Sequence, residues 1–335
     1  MFTIDGSRVS LPRELINEGF IVCSADQGNY YPPGLMSCLY NIQEKVVYDF
    51  SLQAHLNERL SALEHIQQLG SKDIVVLDRG YFSYLMLYKI IEQNCHVIFR
   101  IPFGIRNNTN NEIMNFIETD QEDSTIDYMP STTVMHDLKK DGYNLKFRPL
   151  KVRLIKHKIN DTTYIYATTL TDKYIFPKEC FYEIYHSRWS IKELYKISKR
   201  FIEIEDFHAK SARGIKQELY ALYAHILLIN LSRFFEFEAE KLIPSNKSED
   251  NKYITNTFDP ISMIKINFKN CLLIVTRQLE NLVMTGCILT NNTLQKIISS
   301  IAKVRQKVRL NRHYPKISRK SINRWVTSHS RRKFA

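Results

Sequence analysis

The six residues DIVVLD, from Asp73 to Asp78, decide how the first part of this chain folds. The run is too short for a helix, and its unbroken apolar character suits a strand that is buried on both faces of a sheet. It ends in a carboxylate. The stretch therefore predicts a central, buried strand with an acidic side chain at its carboxyl end.

Secondary-structure patterns on both sides of this strand complete an α/β sheet. Leucine and isoleucine recur at helical spacing from Leu56 to Leu69, and a second helical pattern runs from Phe82 to about Gln93. Strand patterns occupy residues 2–4, two segments within residues 35–53 that are joined near Gln43 and Glu44, and residues 95–101. The order strand, strand, strand, helix, strand, helix, strand predicts a mixed sheet with helices packed on it.

Two of the predicted strands end in aspartate. Asp5 follows the first strand and opens a predicted turn to Ser7, while Asp78 follows the strand that opened this section. Ligands of open α/β sheets lie beyond the carboxyl ends of strands, so we expect Asp5 and Asp78 to converge there. Each could instead be a turn former or a helix N-cap, an alternative that suits Asp78 because Arg79 and Gly80 follow it.

The rest of the chain predicts more strands and then helices. Residues 104–130 are polar and acidic, and the two strand patterns after them read as a hairpin that turns at Asn160 and Asp161. Amphipathic helices are predicted at residues 213–237, 263–284 and 294–309. We therefore expect a core built from residues 1–103 and 177–240, a β-rich insertion at residues 104–176, and a helical, basic C-terminal region at residues 241–335.

The stretch YHSRWSIKELYKISK, from Tyr185 to Lys199, predicts an amphipathic helix with one basic face. At ~100° per residue, that face covers an arc of roughly 80°, opposite an apolar face. The basic face holds Tyr185, Arg188, Lys192, Lys196 and Lys199, and the apolar face holds Ile191, Leu194, Ile197 and Phe201. Such a basic face can bind phosphates, although a helix face that only meets solvent has the same pattern.

Basic charge is concentrated at the end of the chain. The formal net charge is +12, and residues 303–335 hold twelve Lys and Arg with no Asp or Glu. An arm of this kind suits nucleic-acid phosphates, because binding neutralises charge and releases counterions. A tail that only keeps the protein in solution would have the same composition.

Several familiar site patterns are missing from the sequence. The six cysteines are isolated, with no CxxC pair and no Cys/His cluster, which argues against a zinc site or a disulfide framework. HExxH, Walker, GxGxxG and GxSxG motifs are missing too. The longest apolar run, residues 219–231, is too short to span a bilayer, and the N-terminus has no basic n-region followed by an apolar h-region, so we expect no signal peptide. We expect a cytoplasmic protein with no membrane partner, in which carboxylates would hold any metal.

Two strand-end carboxylates beside a helix rich in Arg and Lys are compatible with phosphoryl transfer. Two-metal sites use two or three carboxylates to hold a pair of Mg²⁺ ions about 3.5 to 4 Å apart. Basic residues alongside would bind the DNA backbone. The spacing permits this chemistry without requiring it.

The stretch from Tyr185 to Lys199 resembles the signature of DDE transposases of bacterial insertion sequences, in the fourth family of such elements. That signature is written Y-x-x-R-x-x-x-E-x-x-x-x-x-x-K; Tyr185, Arg188 and Lys199 match it, and Trp189 after the arginine is also typical. Four other segments resemble the family, and together they span nearly the whole chain in matching order. They are IDGSRVSLP (4–12, around the first Asp), VVLDRGYFS (75–83, around the second Asp), IKQELYA (215–221) and YPKISRKSINRW (314–325).

The resemblance implies an RNase H-like catalytic domain with a β-rich insertion before the third carboxylate. It also implies Mg²⁺- or Mn²⁺-dependent hydrolysis with two ions at the element's ends, followed by attack of the freed 3′-hydroxyl on target DNA. Asp5 and Asp78 would be metal ligands, while Tyr185, Arg188 and Lys199 would bind transposon-end phosphates. The implied partner is double-stranded DNA, both terminal repeats and target, bound by a homodimer on paired ends in the bacterial nucleoid.

Two departures from the family pattern bear on activity. The family places Glu four residues after Arg188, but this chain has Lys192, whose ammonium group would repel divalent cations. Glu193 is adjacent and is the candidate substitute for the catalytic carboxylate, although one residue along a helix turns a side chain by ~100°. The family's DNA-binding segment before Asp5 is missing, so we expect an N-terminally truncated copy or an upstream start.

Three functions are compatible with these observations. The first is a transposase that cuts and joins DNA, impaired in this copy by Lys192. The second is a non-catalytic DNA-binding remnant or regulator of transposition. The third is a stand-alone RNase H-like nuclease, which the transposase-type signature disfavours. A carboxylate at position 192 would favour the enzyme, so the lysine found there favours the DNA-binding protein.

Overall fold

The structure, a computed structural model, describes residues 1–20, 32–101, 111–159, 162–200, 207–209, 211–243, 264–284 and 291–307. Its contacts divide the chain into two units, one formed by Met1–Glu205 with Ala209–Gln217 and the other by Asp206–His208 with Glu218–Ala335. The predicted turn at Asn160 and Asp161, the apolar-face residue Phe201 and the basic tail beyond Lys307 lie outside the described residues.

The first unit is built on strands and helices that alternate along the chain. Its described strands are β1 (Phe2–Ser10), β2 (Pro33–Asn41), β3 (Val46–Gln53), β4 (Ile74–Leu77), β5 (His96–Ile101), β6 (Asp123–Tyr128), β7 (Leu150–Ile159) and β8 (Thr162–Thr168). Its described helices are α1 (Glu58–Ile66), α2 (Tyr84–Glu92), α3 (Asn111–Glu118), α4 (Thr132–Lys140), α5 (Cys180–Ser187), α6 (Ser190–Arg200) and the start of α7 (Ala212–Glu240).

These strands form one mixed sheet of eight described strands in the order β3-β2-β1-β4-β5-β8-β7-β6. The β1–β4 and β4–β5 pairs are parallel, and the other neighbouring pairs are antiparallel. The sheet and its flanking helices confirm the predicted α/β fold and are consistent with an RNase H-like core. Residues 104–176 contribute β6, β7 and β8 to one side of this same sheet, together with α3 and α4. The domain boundaries themselves stay predictions.

Local sequence explains the central elements. The stretch IVVL forms β4 between β1 and β5, and its last three residues are buried, as the uninterrupted apolar run predicts. The side chain of Asn57 caps α1 by accepting from the amides of Arg59 and Leu60. Ser83 caps α2 in the same way by accepting from the amide of Met86. The helices therefore begin where side-chain acceptors satisfy their free amides.

The two faces of the sheet serve different purposes. Alternation along the strands places Ile4 and Leu77 in the main hydrophobic cluster, which also contains residues of α1 and α2. Asp5 and Asp78 follow these two residues in sequence and so point to the opposite face. Tyr195 of α6 contacts that face by donating its hydroxyl to the backbone carbonyl of Asp5. The face opposite α1 and α2 is therefore the one that carries the candidate site.

The second unit is helical. Its described elements are the later part of α7, β9 (Ile264–Ile266), α8 (Phe268–Met284), α9 (Asn291–Lys303) and β10 (Arg305–Lys307). They enclose a small core that includes Phe235, Cys271, Val275 and Ile301. The two predicted helices at residues 263–284 and 294–309 are shorter than expected, because β9 and β10 pair antiparallel beside them. No helix in the described ranges is long and apolar enough to cross a lipid bilayer.

Candidate active site

Asp5 lies in the middle of β1, not at the end of a strand as predicted. The strand continues to Ser10 because its antiparallel pairing with β2 runs through Asp5, Gly6 and Ser7 without interruption. That pairing outweighs the local turn propensity of the Asp-Gly-Ser sequence. The Asp5 side chain is buried, with the residue only 4% exposed. A carboxylate in such a place needs a cation close to it.

Asp78 follows β4 and caps a short 3₁₀ turn. Its Oδ1 accepts a 2.7 Å hydrogen bond from the amide of Arg79, so the predicted capping role is observed. The same oxygen accepts from the Tyr185 hydroxyl at 3.2 Å. Burial acts to raise the pKa of Asp78, but the Arg188 guanidinium, the Arg79 amide and the Tyr185 hydroxyl together hold that pKa below its ordinary value of 3.8. Asp78 is therefore ionised at neutral pH.

Arg188 brings the two aspartates together. Its Nη2 donates to Asp78 Oδ2 at 3.3 Å, and its Nη1 lies 3.9 Å from Asp5 Oδ2. The arginine is itself buried, with 3% of its surface exposed. The expected convergence of Asp5 and Asp78 on one side of the sheet is thus present, and a guanidinium group occupies the space between them.

Lys192 supplies the second cation of the site. Its Nζ lies 2.7 Å from Asp5 Oδ2, although about half of the lysine side chain is exposed. This is the position at which the family pattern has a glutamate. Two carboxylates are therefore matched by two basic side chains, and the local charge is balanced by the chain itself.

The periodicity predicted one continuous helix for the signature stretch, and this prediction is wrong. The stretch is divided between α5, which ends at Ser187, and α6, which begins at Ser190. The predicted apolar face is buried at Ile191, Leu194 and Ile197, which confirms that part of the prediction. Tyr185 and Arg188, by contrast, are buried against the aspartates and do not form an exposed basic face with the lysines.

The remaining predicted site residues lie at the margin of this cluster. Glu193 is 64% exposed and pairs with Lys196 at 3.5 Å. Lys199 donates its ammonium group to the backbone carbonyl of Arg8. Among the described residues, no group of three or more His, Cys, Asp or Glu is placed to hold a metal ion. The structure thus does not bring Glu193 together with Asp5 and Asp78.

The donor set does not fit a pair of divalent ions. Metal pairs of this kind are held by two or three carboxylates, whereas here two carboxylates face Arg188 and Lys192. A monovalent and a divalent cation about 4 Å apart would repel each other by roughly 8 kcal/mol at an effective dielectric constant of about 20. The lysine and arginine would have to move before an ion could bind.

Sequence reasoning missed Tyr195. Its hydroxyl donates to the backbone carbonyl of Asp5 and so fixes α6 against β1. Burial, with Cys38 and Asp5 nearby, raises the pKa of Tyr195 well above its ordinary value, so the hydroxyl remains a donor. The signal was available, because Tyr195 follows Lys192 by three residues and shares its side of a helix.

Comparison with known proteins identifies the family. The model of the transposase DDE domain matches residues 2–230. No curated protein matches the chain. Among solved structures, the chain is similar to the piggyBac transposase of a cryo-EM synaptic complex with hairpin DNA, with a TM-score of 0.43 and 13% identity. That similarity covers 97% of this chain but only 60% of the piggyBac chain. Since the domain match spans more than half of the sequence, the chain belongs to the transposase DDE domain family.

Proposed function

We propose that this chain acts in DNA transposition as a DNA-binding member of the insertion-sequence transposases that, in its present form, does not cut DNA. The observation that carries the proposal is the ion pair between Lys192 Nζ and Asp5 Oδ2 at 2.7 Å. It places an ammonium group beside the carboxylate that the family resemblance assigns to metal binding.

Electrostatics supports the loss of cutting. In a two-metal centre the ions activate the nucleophile and stabilise the leaving oxygen, so catalysis requires them. Asp5 and Asp78 are already neutralised by Arg188 and Lys192. Mg²⁺ or Mn²⁺ would be a cofactor only of a form that carries a carboxylate at position 192. In that form, the metal ions would supply the positive charge that stabilises the attacking and leaving oxygens.

DNA binding does not depend on that centre. The chain carries 47 Lys and Arg against 35 Asp and Glu, and such an excess favours phosphate backbones. The partner we propose is double-stranded DNA, both the terminal repeats of an element and its target, bound by a homodimer on paired ends. A chain that binds ends without cutting them would also occupy the sites of an active transposase, and so regulate transposition.

The test uses Lys192→Glu, which restores the family's residue. The substrate is a supercoiled plasmid that carries the DNA flanking this gene, incubated with Mg²⁺ or Mn²⁺. We expect no nicking by the wild type, nicking by Lys192→Glu, and none by Lys192→Glu combined with Asp78→Ala. Lys196→Glu is the matched control, because it makes the same charge change on α6 at a residue that pairs with exposed Glu193.

Two results would contradict the proposal. Wild-type nicking that Asp78→Ala abolishes would show that the centre works as it stands, with Glu193 as the candidate third carboxylate. Failure of the wild type to bind either the plasmid or a short duplex would remove the DNA-binding function itself.

A further inference from the structure

Three rings on the same face of the sheet as Asp78 form a stack, which we call the ring ladder: His157 of β7 with Tyr182 and His186 of α5. The rings of His157 and Tyr182 have centroids 5.7 Å apart and planes inclined by 15°. Those of Tyr182 and His186 are 6.0 Å apart and inclined by 17°. These are offset-stacked arrangements. His186, at one end of the ladder, is exposed, so a further planar ring can be added there.

A cation lies beside the ladder. Tyr164 of β8 meets Tyr182 edge to face, with centroids 5.5 Å apart. The guanidinium carbon of Arg100 lies 4.9 Å from the centre of the Tyr164 ring. Arg100 forms no ion pair with a carboxylate in the part of the chain that the structure describes. Arg100 is only partly buried, so its positive charge can attract an anion that approaches the ladder.

The ladder adjoins the candidate active site. Arg100 is paired in register with Tyr166 of β8. The ring of Tyr166 lies 5.3 Å from that of Tyr185, whose hydroxyl donates to Asp78. Tyr185 and His186 are consecutive residues of α5, one buried toward the aspartates and the other exposed on the ladder. A ligand on the ladder would thus lie next to the aspartates.

Composition distinguishes the ladder from ordinary core packing. Two of these three rings are imidazoles, and none of the three is fully buried. His157 interacts with the carboxylate of Glu122, which is already paired with Lys178. Stacked rings beside an arginine are the features by which proteins bind unpaired nucleotides, since every base offers a π-face and every link carries a phosphate.

We propose that the ring ladder binds a short single-stranded segment of DNA, with a base stacked on His186 and a phosphate at Arg100. Duplex DNA cannot make this contact along its length, because its bases are already stacked within the helix. The inference rests on the proposed function, which supplies the DNA, and deepens it by naming the form of DNA held beside Asp78.

Fluorescence anisotropy tests the proposal with two probes. One is a labelled oligothymidine, and the other is a labelled dumbbell duplex closed by non-nucleotide linkers, which has neither free ends nor unpaired bases. The variants are His186→Ala, His186→Phe and Tyr182→Ala. The matched control is Tyr174→Ala, which removes a 99% exposed tyrosine outside the ladder. We expect His186→Ala to weaken oligothymidine binding by about tenfold, the loss typical of one base–aromatic stack. Tyr182→Ala should weaken it as well, because the Tyr182 ring supports that of His186. His186→Phe and Tyr174→Ala should bind oligothymidine as the wild type does, and dumbbell binding should be unchanged throughout.

A second readout reports stacking directly. The wild type and His186→Phe should quench 2-aminopurine placed within the oligothymidine, whereas His186→Ala should not. The proposal would be overturned if the ladder variants bound both probes with equally reduced affinity, or if His186→Phe bound oligothymidine as weakly as His186→Ala. Either result would point to charge alone. A wild type that binds the dumbbell but not oligothymidine would overturn this inference and leave the proposed function intact. A wild type that binds neither would overturn the proposed function as well.

Discussion

Lys192 shows how one side chain can change what a buried carboxylate does. Without it, the nearest basic group to Asp5 Oδ2 among the described ion pairs is Arg188 Nη1, at 3.9 Å. With it, an ammonium group lies at 2.7 Å. An ammonium group neutralises the aspartate but cannot share it with a metal ion. Lys192 therefore places an ion pair at the position where the family pattern has a glutamate.

Thermal unfolding in the presence of Mg²⁺ separates these two roles. We expect the wild-type melting temperature to be independent of Mg²⁺. Lys192→Glu should melt at a lower temperature without metal, because it adds a carboxylate beside Asp5. Mg²⁺ should then raise its stability, by about 1.4 kcal/mol at about ten times the dissociation constant. Differential scanning calorimetry provides the measurement.

Lys196→Glu is again the control, since it adds the same charge beside exposed Glu193. Its melting temperature should not respond to Mg²⁺. If Mg²⁺ raised the melting temperatures of the wild type and of Lys192→Glu equally, the proposed role of Lys192 would be wrong. Such a result would mean that Lys192 moves away from Asp5 when the ion binds.

Single residues also explain the predictions that were wrong. The sequence Asp5-Gly6-Ser7 favours a turn, but the glycine is there for a different reason. A Cβ at Gly6 would lie 2.8 Å from Cγ of Glu58, so the glycine lets α1 pass close to β1. The sequence also did not predict the break between α5 and α6 at Arg188, because arginine and tryptophan both suit a helix. What marks Arg188 is its contact with aspartates more than a hundred residues away in sequence, which periodicity does not encode.

At the scale of elements, a buried ion pair joins the strands at one side of the sheet. Arg153 of β7 is fully buried, and it donates to both carboxylate oxygens of Asp123 on β6, from Nε at 2.9 Å and from Nη2 at 2.7 Å. Its Nη1 donates to the carbonyls of Phe176 at 2.7 Å and Leu170 at 3.3 Å. One guanidinium group thus connects β6, β7 and the segment that leads to α5.

Asp123→Asn should destabilise the protein by about 3 kcal/mol, because it leaves Arg153 buried without its counter-ion. Urea denaturation at neutral pH measures the loss. Glu122→Gln is the neighbouring control: Glu122 pairs with Lys178 at the surface, so the denaturation midpoint should not move. Equal effects of the two substitutions would contradict the burial argument.

The same pair predicts how stability depends on pH. Burial acts to raise the pKa of Asp123, but Arg153 and Lys173 hold that pKa below its ordinary value of 3.8. A lowered carboxyl pKa stabilises the folded state above the ordinary value and loses this effect as the pH falls through the lowered one. The wild type should therefore lose stability below about pH 4 more steeply than Asp123→Asn. Parallel pH profiles would contradict this assignment.

Elements with strong local signals were predicted well. The central strand β4, the β2–β3 hairpin and helices α1 and α2 were all expected from apolar spacing and turn residues. The short strands β9 and β10 were not, because each has three residues and is specified by its partner more than by its own sequence. In the site, the convergence of the aspartates was expected from strand order. The contacts of Arg188 with both aspartates and of Lys192 with Asp5 could be seen only in the three-dimensional structure.

For the whole molecule, the distribution of charge matters more than its total. Residues 308–335 hold nine Lys and Arg and no Asp or Glu, so removing their charge would lower the net charge from +12 to +3. The sequence leaves open whether this tail binds DNA or only keeps the protein in solution. Salt dependence distinguishes the two, because the slope of log K against log salt grows with the number of phosphates that the protein neutralises.

Replacing the nine basic residues of the tail by Gln should weaken binding to a DNA duplex and make the dependence of log K on log salt shallower, by about 0.9 for each phosphate that the tail no longer neutralises. A smaller pair of variants provides a control at equal net charge. Arg331, Arg332 and Lys333 changed to Gln, or the exposed Lys45, Lys72 and Lys140 changed to Gln, each lower the net charge from +12 to +9. Only the tail variant should alter the slope if the tail binds phosphates. An unchanged slope for the ninefold variant would mean that the tail binds no phosphate, and that other parts of the chain bind the DNA.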